Sequence, residues 1–192
     1  SAVTLEIHDR LMHLGGLNGT LATAQAASVD LSANLANSNL AARIGDPNYS
    51  DVQWWLEWYT DTGATATTVT VNVTYNDGTT GNLPAASLAA TRCASFLLPL
   101  NGLIPAAAAG KYIRAVNTVK LTATTGTAGN FGVTATRQRV FLACPVANMK
   151  WSADWAALPV SEIPNSSCLF LLQIAGTIIT GTVRGGGKIA HG

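Results

Sequence analysis

The chain has 192 residues, 48% hydrophobic and 11% charged, with a formal net charge of +1. That is enough apolar material for one substantial core, and a charge content well under the roughly 25% of ordinary soluble domains leaves little repulsion against association. No stretch concentrates Lys or Arg, so direct binding of DNA or RNA through bulk electrostatics is not expected.

Val3, Leu5 and Ile7 alternate and predict a short first strand. Residues 9–25 follow, with Gly15-Gly16 and Asn18-Gly19 read as tight turns of a loop that Leu11, Leu14, Leu17 and Leu21 anchor on a core edge. His8, Asp9, His13 and Thr20 invite a metal or catalytic reading. A metal needs three or four converging ligands, and only two histidines stand here with no carboxylate or cysteine at a known spacing. They are expected to be polar loop residues bonding locally. Residues 26–45 are small and polar, with enough Ala and Leu for a short helix before the Asp46-Pro47-Asn48 turn.

Residues 53–60 predict a strand with aromatics on both faces: Trp54, Leu56 and Trp58 one way, Trp55, Glu57 and Tyr59 the other. Three readings fit, in this order: a central strand covered on both sides, a strand with one face offered to a partner, and a sugar-stacking platform. Val69, Val71, Val73 and Tyr75 alternate with Thr70, Asn72 and Thr74, and Asn76-Asp77-Gly78 marks a hairpin returning through residues 79–83. The polar partners are Thr and Asn, a face able to dock without desolvating many charges. Residues 95–100 predict another strand, with Pro99 marking an edge or a stop. Residues 116–137 then alternate strictly on either side of a turn containing Gly126, Gly129 and Asn130, and predict an antiparallel hairpin near the middle of a sheet.

Composition shifts after Arg139. Residues 149–164 hold Trp151 and Trp155, four apart and therefore on one face of any helix, and otherwise read as an extended arm. Residues 169–183 predict strands around Gly176 and Gly181. Gln173, Gly176 and Thr177 interrupt this apolar run, which is too short for a membrane span. Arg184, Lys188 and His191 finish the tail. Cys93, Cys144 and Cys168, odd in number and irregular in spacing, fit reduced, buried thiols rather than a disulfide framework or a zinc site. The first residues lack a basic region followed by an apolar run, so no secretory signal is expected, and an initial serine fits removal of an initiator methionine in the cytoplasm.

Three linked stretches carry a resemblance. They are Asp9-Arg10-Leu11 with residues 15–20, Thr23 and Gln25; the aromatic strand ending in residues 59–63; and residues 124–133. Together they resemble tailed-bacteriophage virion structural proteins of the capsid decoration, or cement, type. The resemblance covers about residues 1–139. It implies an all-β, jelly-roll-like antiparallel sandwich over residues 1–139; residues 140–192 lie outside it and read as an added C-terminal arm with additional strands. It further implies a subunit made in the bacterial host cytoplasm that decorates the virion surface. Its partners would be the major capsid protein and copies of itself, as a trimer or dimer, with no cofactor, no membrane and no direct nucleic-acid contact. A head–tail adaptor or a tail subunit could share such a core. The expected contact residues are Trp54, Trp55, Trp58, Trp151, Trp155 and Arg184. Deleting residues from Met149 onward is expected to spare the sandwich and weaken attachment. A carbohydrate-binding module is the alternative from another class, resting on residues 54–59. No enzyme is expected, because no nucleophile elbow and no pair of carboxylates placed for acid–base work can be found.

Overall fold

A computed structural model describes residues 3–35, 38–126, 129–144, 146, 149–152 and 162–175 of the chain. Among them, ten strands dominate: β1 (Val3–Asn18), β2 (Gln25–Asp30), β3 (Val52–Trp58), β4 (Thr67–Tyr75), β5 (Thr80–Asn82), β6 (Ala86–Leu88), β7 (Leu97–Pro99), β8 (Ile113–Leu121), β9 (Asn130–Cys144) and β10 (Leu169–Ala175). Two short helices, α1 (Ser32–Leu35) and α2 (Ser38–Ile44), stand between β2 and β3 where a helix was expected. Sheet A has the order β10-β1-β9-β3-β7, and sheet B the order β2-β8-β4-β5, with β6 also beside β4. All the pairings are antiparallel. The fold is the expected all-β antiparallel sandwich.

Strict alternation builds the core. Val69, Val71 and Val73 of β4 and Val119 and Leu121 of β8 meet Trp54, Leu56 and Trp58 of β3 and Phe131, Val133 and Ala135 of β9. The Trp58 and Phe131 rings stack with centroids 5.0 Å apart. Trp54 reaches across the sandwich, its indole Nε1 donating to the Ile113 carbonyl of β8 at 2.8 Å. β4 and β5 form the expected hairpin, with Gly78 at a φ of +84° in its turn.

Residues 116–137 correct one expectation. β8 pairs with β2 and β4, and β9 pairs with β1 and β3, so the two strands face each other from opposite sheets instead of forming a hairpin. Alternation reports that each strand buries one face. It does not report which strand lies alongside, and these two bury theirs in the same core from opposite sides.

The stretch after Asp9 corrects a second. β1 runs as one strand to Asn18, and its register against β9 shifts between Ile7 and His8, between Arg10 and Met12, and between Leu14 and Leu17. The Gly15-Gly16 pair lies inside the strand, with Gly16 at a φ of +93° in the last of these irregularities. Glycine in a strand marks a bulge as readily as a turn. The thiols correct a third: all three are free, but Cys93 and Cys168 are exposed and Cys144 is half-buried.

β9 continues unbroken across residue 139, and β10 pairs with β1 from Val3↔Ala175 to Asp9↔Leu169. β3 begins opposite Arg137. Beyond that point sheet A narrows to the ribbon β10-β1-β9, and from Gln138 onward β9 has no strand on its second side among the described residues. The ribbon exposes Phe141, Leu171 and Ile174. Residues 153–161 and 176–192 lie outside the described residues, and with them Trp155, Arg184, Lys188, His191 and the strand expected near residues 177–183. No helix among the described residues is long and apolar enough to cross a membrane.

Candidate functional site

The expected contact residues separate by depth. Trp54 and Trp58 are fully buried in the core, as the inward face of β3 requires. Trp55 points the opposite way yet is only 9% exposed, because its Nε1 donates to Thr136 Oγ1 at 2.8 Å and its ring meets the edge of His8. All three therefore belong to the chain's own interior and do not form a contact surface, which also removes the sugar-stacking platform. Of the remaining residues, Trp151 is exposed, with Nε1 donating to the Val146 carbonyl, and Trp155 and Arg184 fall outside the described residues.

Instead, the outer face of sheet A carries two hydrogen-bonded chains of ionisable groups. β1 supplies Glu6, His8, Arg10 and His13, β9 supplies Thr134 and Thr136, and β3 with its following residue supplies Trp55, Glu57 and Tyr59. In the first chain, fully buried His8 stands 2.7 Å from the Glu6 carboxylate through Nε2 and 3.0 Å from Thr136 Oγ1 through Nδ1. In the second, Arg10 donates twice to the Glu57 carboxylate, at 2.9 and 3.1 Å, and Thr134 Oγ1 donates to it at 2.6 Å. Thr134 has then given its only proton away, so at 2.8 Å its oxygen accepts from His13 Nδ1. That assignment leaves His13 Nε2 bare to accept from the Tyr59 hydroxyl at 2.8 Å. The ring of Tyr59 is admitted by glycine: a Cβ on Gly132 would collide with the Tyr59 hydroxyl and the Leu14 carbonyl.

Burial pushes the His13 pKa below its ordinary value, partly offset by the Glu57 charge. Burial also raises the Tyr59 phenol to about 12, so it stays a donor throughout the physiological range. The sign for His13 follows. A folded value below the unfolded one favours folding with neutral imidazole; that contribution is complete above about pH 6.5 and is lost as pH falls through the lowered folded value. The expected result is a wild-type stability that falls between about pH 7 and 5. In His13→Gln, the part of that fall due to this ring disappears, as measured by urea unfolding at the two pH values.

A third charged group lies at the start of the ribbon. Asp9 is fully buried and accepts from Arg43 Nη2 at 2.6 Å and Nε at 3.0 Å, from Arg139 Nη2 at 3.0 Å and from the Cys168 amide at 2.9 Å. Arg43 also donates to the Arg10 carbonyl, and Arg139 and Arg137 donate to carbonyls at the end of α2, where a helix favours cations. One carboxylate thus ties β1, α2, β9 and the residue preceding β10. Of the residues expected to bond locally, Thr20 does so, to Asn18 Oδ1, but His8, His13 and Asp9 reach far along the chain: Asp9 is 34 residues from Arg43 and 130 from Arg139. No sequence spacing carries that signal.

Sheet B presents the opposite chemistry. Asn117 Nδ2 donates to Asn72 and Thr74, Asn72 to Asn82, and Thr68 shares a 2.9 Å contact with Thr122. Among the described strands of sheet B the charged side chains are Asp30 and Arg114, which pair with each other, and Lys120, opposite Thr70. Such a face loses little on being covered. No three His, Cys, Asp or Glu side chains converge as a metal site among the described residues.

Compared with known proteins, the chain matches no family model, no curated protein and no solved structure. The class that fold and surface define is an antiparallel β-sandwich with a hydrogen-bonded ionisable face, a charge-poor face and an apolar-edged ribbon.

Proposed function

We propose that the chain is a structural virion subunit of a tailed bacteriophage, a decoration or cement protein that sits on the capsid surface and bridges capsomers. The observation that carries this reading is the ribbon of β10, β1 and β9. It exposes Phe141 at 48%, Leu171 at 63% and Ile174 at 43%, and β9 is unaccompanied on one side from Gln138 among the described residues. Unpaired strand edges beside exposed apolar side chains are costly for a lone soluble molecule and useful to one held by neighbours. The strand order lends support. β1-β9-β3-β7 in one sheet and β2-β8-β4-β5 in the other is an order we read as a jelly roll, an architecture that serves in viral shells. The charge-poor face of sheet B suits the same role. Many modest contacts repeated by symmetry would then hold the subunit, as a dimer or trimer of itself, on the major capsid protein.

β10 belongs to sheet A, so truncation at Met149 would strip an edge strand and is a poor test of attachment. Point changes on the ribbon are cleaner. Phe141→Glu with Leu171→Lys is expected to leave the circular dichroism spectrum unchanged and to reduce co-sedimentation with undecorated capsids by about tenfold or more. Equal decoration by the double variant would overturn the reading. Imaging of intact particles would place the protein on the head, at the connector or on the tail.

A further inference from the structure

Arg92 stands apart from the other arginines with a buried, unpaired Nε. Arg10, Arg114 and Arg139 each have a carboxylate within ion-pair distance. Arg92 has none among the described residues, and its side chain makes no hydrogen bond there, although its Nε is buried. That Nε is closed off by the protein, but the terminal guanidinium nitrogens are not buried and have no acceptor among the described residues, so they are the atoms a bound group can meet. The side chain is nonetheless held in place. Its guanidinium carbon lies 5.0 Å from the centroid of Phe96, and its backbone amide donates to Thr62 Oγ1 at 2.7 Å.

Arg92 lines an open groove of about 560 Å³ where β6 pairs with the beginning of β4. Thr68, Ser87 and Thr122 contribute hydroxyls, and Thr67 and Leu88 lie buried beneath them. The Thr122 hydroxyl stands 2.9 Å from that of Thr68 and 3.2 Å from that of Thr67, so these oxygens are fixed in position. The Ser87 hydroxyl has no partner among the described residues.

We propose that this groove binds a saccharide bearing a carboxylate, such as a uronic acid unit, with Arg92 holding the carboxylate. The chemistry selects that class in three steps. A guanidinium matches a carboxylate with two parallel hydrogen bonds, and one arginine with no second cation lining the groove suits a single negative charge better than a phosphate. The exposed Ser87 hydroxyl, which has no partner among the described residues, can both donate to and accept from a sugar hydroxyl. A peptide is disfavoured because the strand beside the groove, β6, is only three residues long and offers few backbone hydrogen bonds to an added strand. The site lies on the face of sheet B, away from the ribbon, and binding is read on the isolated chain, so its test does not depend on the capsid role.

The test uses the full chain against an array of oligosaccharides bearing uronic acids, with their neutral counterparts and short acidic peptides alongside. Uronate-bearing sugars are expected to bind at least about tenfold more tightly than neutral ones. Arg92→Gln should remove that preference, and Ser87→Trp, which fills an exposed part of the groove, should abolish binding with an unchanged melting temperature. Absence of binding to any acidic sugar would overturn the proposal. So would unaltered binding by Arg92→Gln, or acidic peptides bound as tightly as the sugars. None of these outcomes bears on co-sedimentation with capsids, so the two readings fail separately.

Discussion

Replacing Asp9 with Ala is expected to destabilise the protein by about 3–5 kcal/mol, because it leaves buried Arg43 and Arg139 without their shared counter-charge. Against a typical total of about 5–15 kcal/mol, such a loss is severe. The geometry distinguishes this from ordinary truncation. Adding Arg139→Met to Asp9→Ala should restore part of the loss, since it removes one of the stranded charges; a merely additive double variant would contradict the account. A second signature is the response to acid. Burial raises the Asp9 pKa, but the hydrogen bonds from Arg43, Arg139 and the Cys168 amide outweigh it and bring the group to about 2. A folded value below the unfolded one adds stability that is complete above about pH 4 and is lost as pH falls toward 2. Acid titration followed by circular dichroism should show this loss in the wild type. In Asp9→Asn, already destabilised at neutral pH, the increment should be missing.

The second large effect is expected at Trp54. Its side chain is fully buried, fills the space between the sheets and bonds the Ile113 carbonyl on the opposite sheet. Trp54→Ala removes both contributions and should cost about 3–5 kcal/mol. Trp54→Phe keeps most of the apolar volume but withdraws the donor, and should cost less, about 1–3 kcal/mol. Guanidinium unfolding of the three proteins checks the order. Equal losses in the two variants would mean that the indole N–H contributes nothing across the interface. Trp55→Phe, on the outer face, should be milder than Trp54→Ala.

Alternation made much of the sandwich readable in advance. The Val-Thr rhythm of β4, the inward Trp54, Leu56 and Trp58 of β3 and the Phe131, Val133 and Ala135 row of β9 each announced a strand and its buried face. Neighbour relations were not readable, because period-two patterning is the same whether β8 lies beside β9 or across from it. Gly15-Gly16 misled for a related reason: glycine permits either a reversal or a bulge, and only the continued pairing of β1 with β9 decides between them. For the outward face of β3, the first of the three readings, a strand covered on both sides, holds at Trp55, although what covers it, His8 of β1 and Thr136 of β9, could not be named from spacing. The Asp9 hub and the Arg92 groove were illegible because their members meet only through tertiary structure.

The pairing of β1 has a consequence for how the molecule is made. β1 finds its sheet neighbours only in β9 and β10, more than 100 residues later in the chain. At about 5–20 residues per second, β1 remains unaccompanied for several seconds while the other sheet can already pair β4 with β5. Sheet A therefore closes late, around its earliest-made strand, and slow elongation or a chaperone that shields nascent β1 should raise the yield of folded protein.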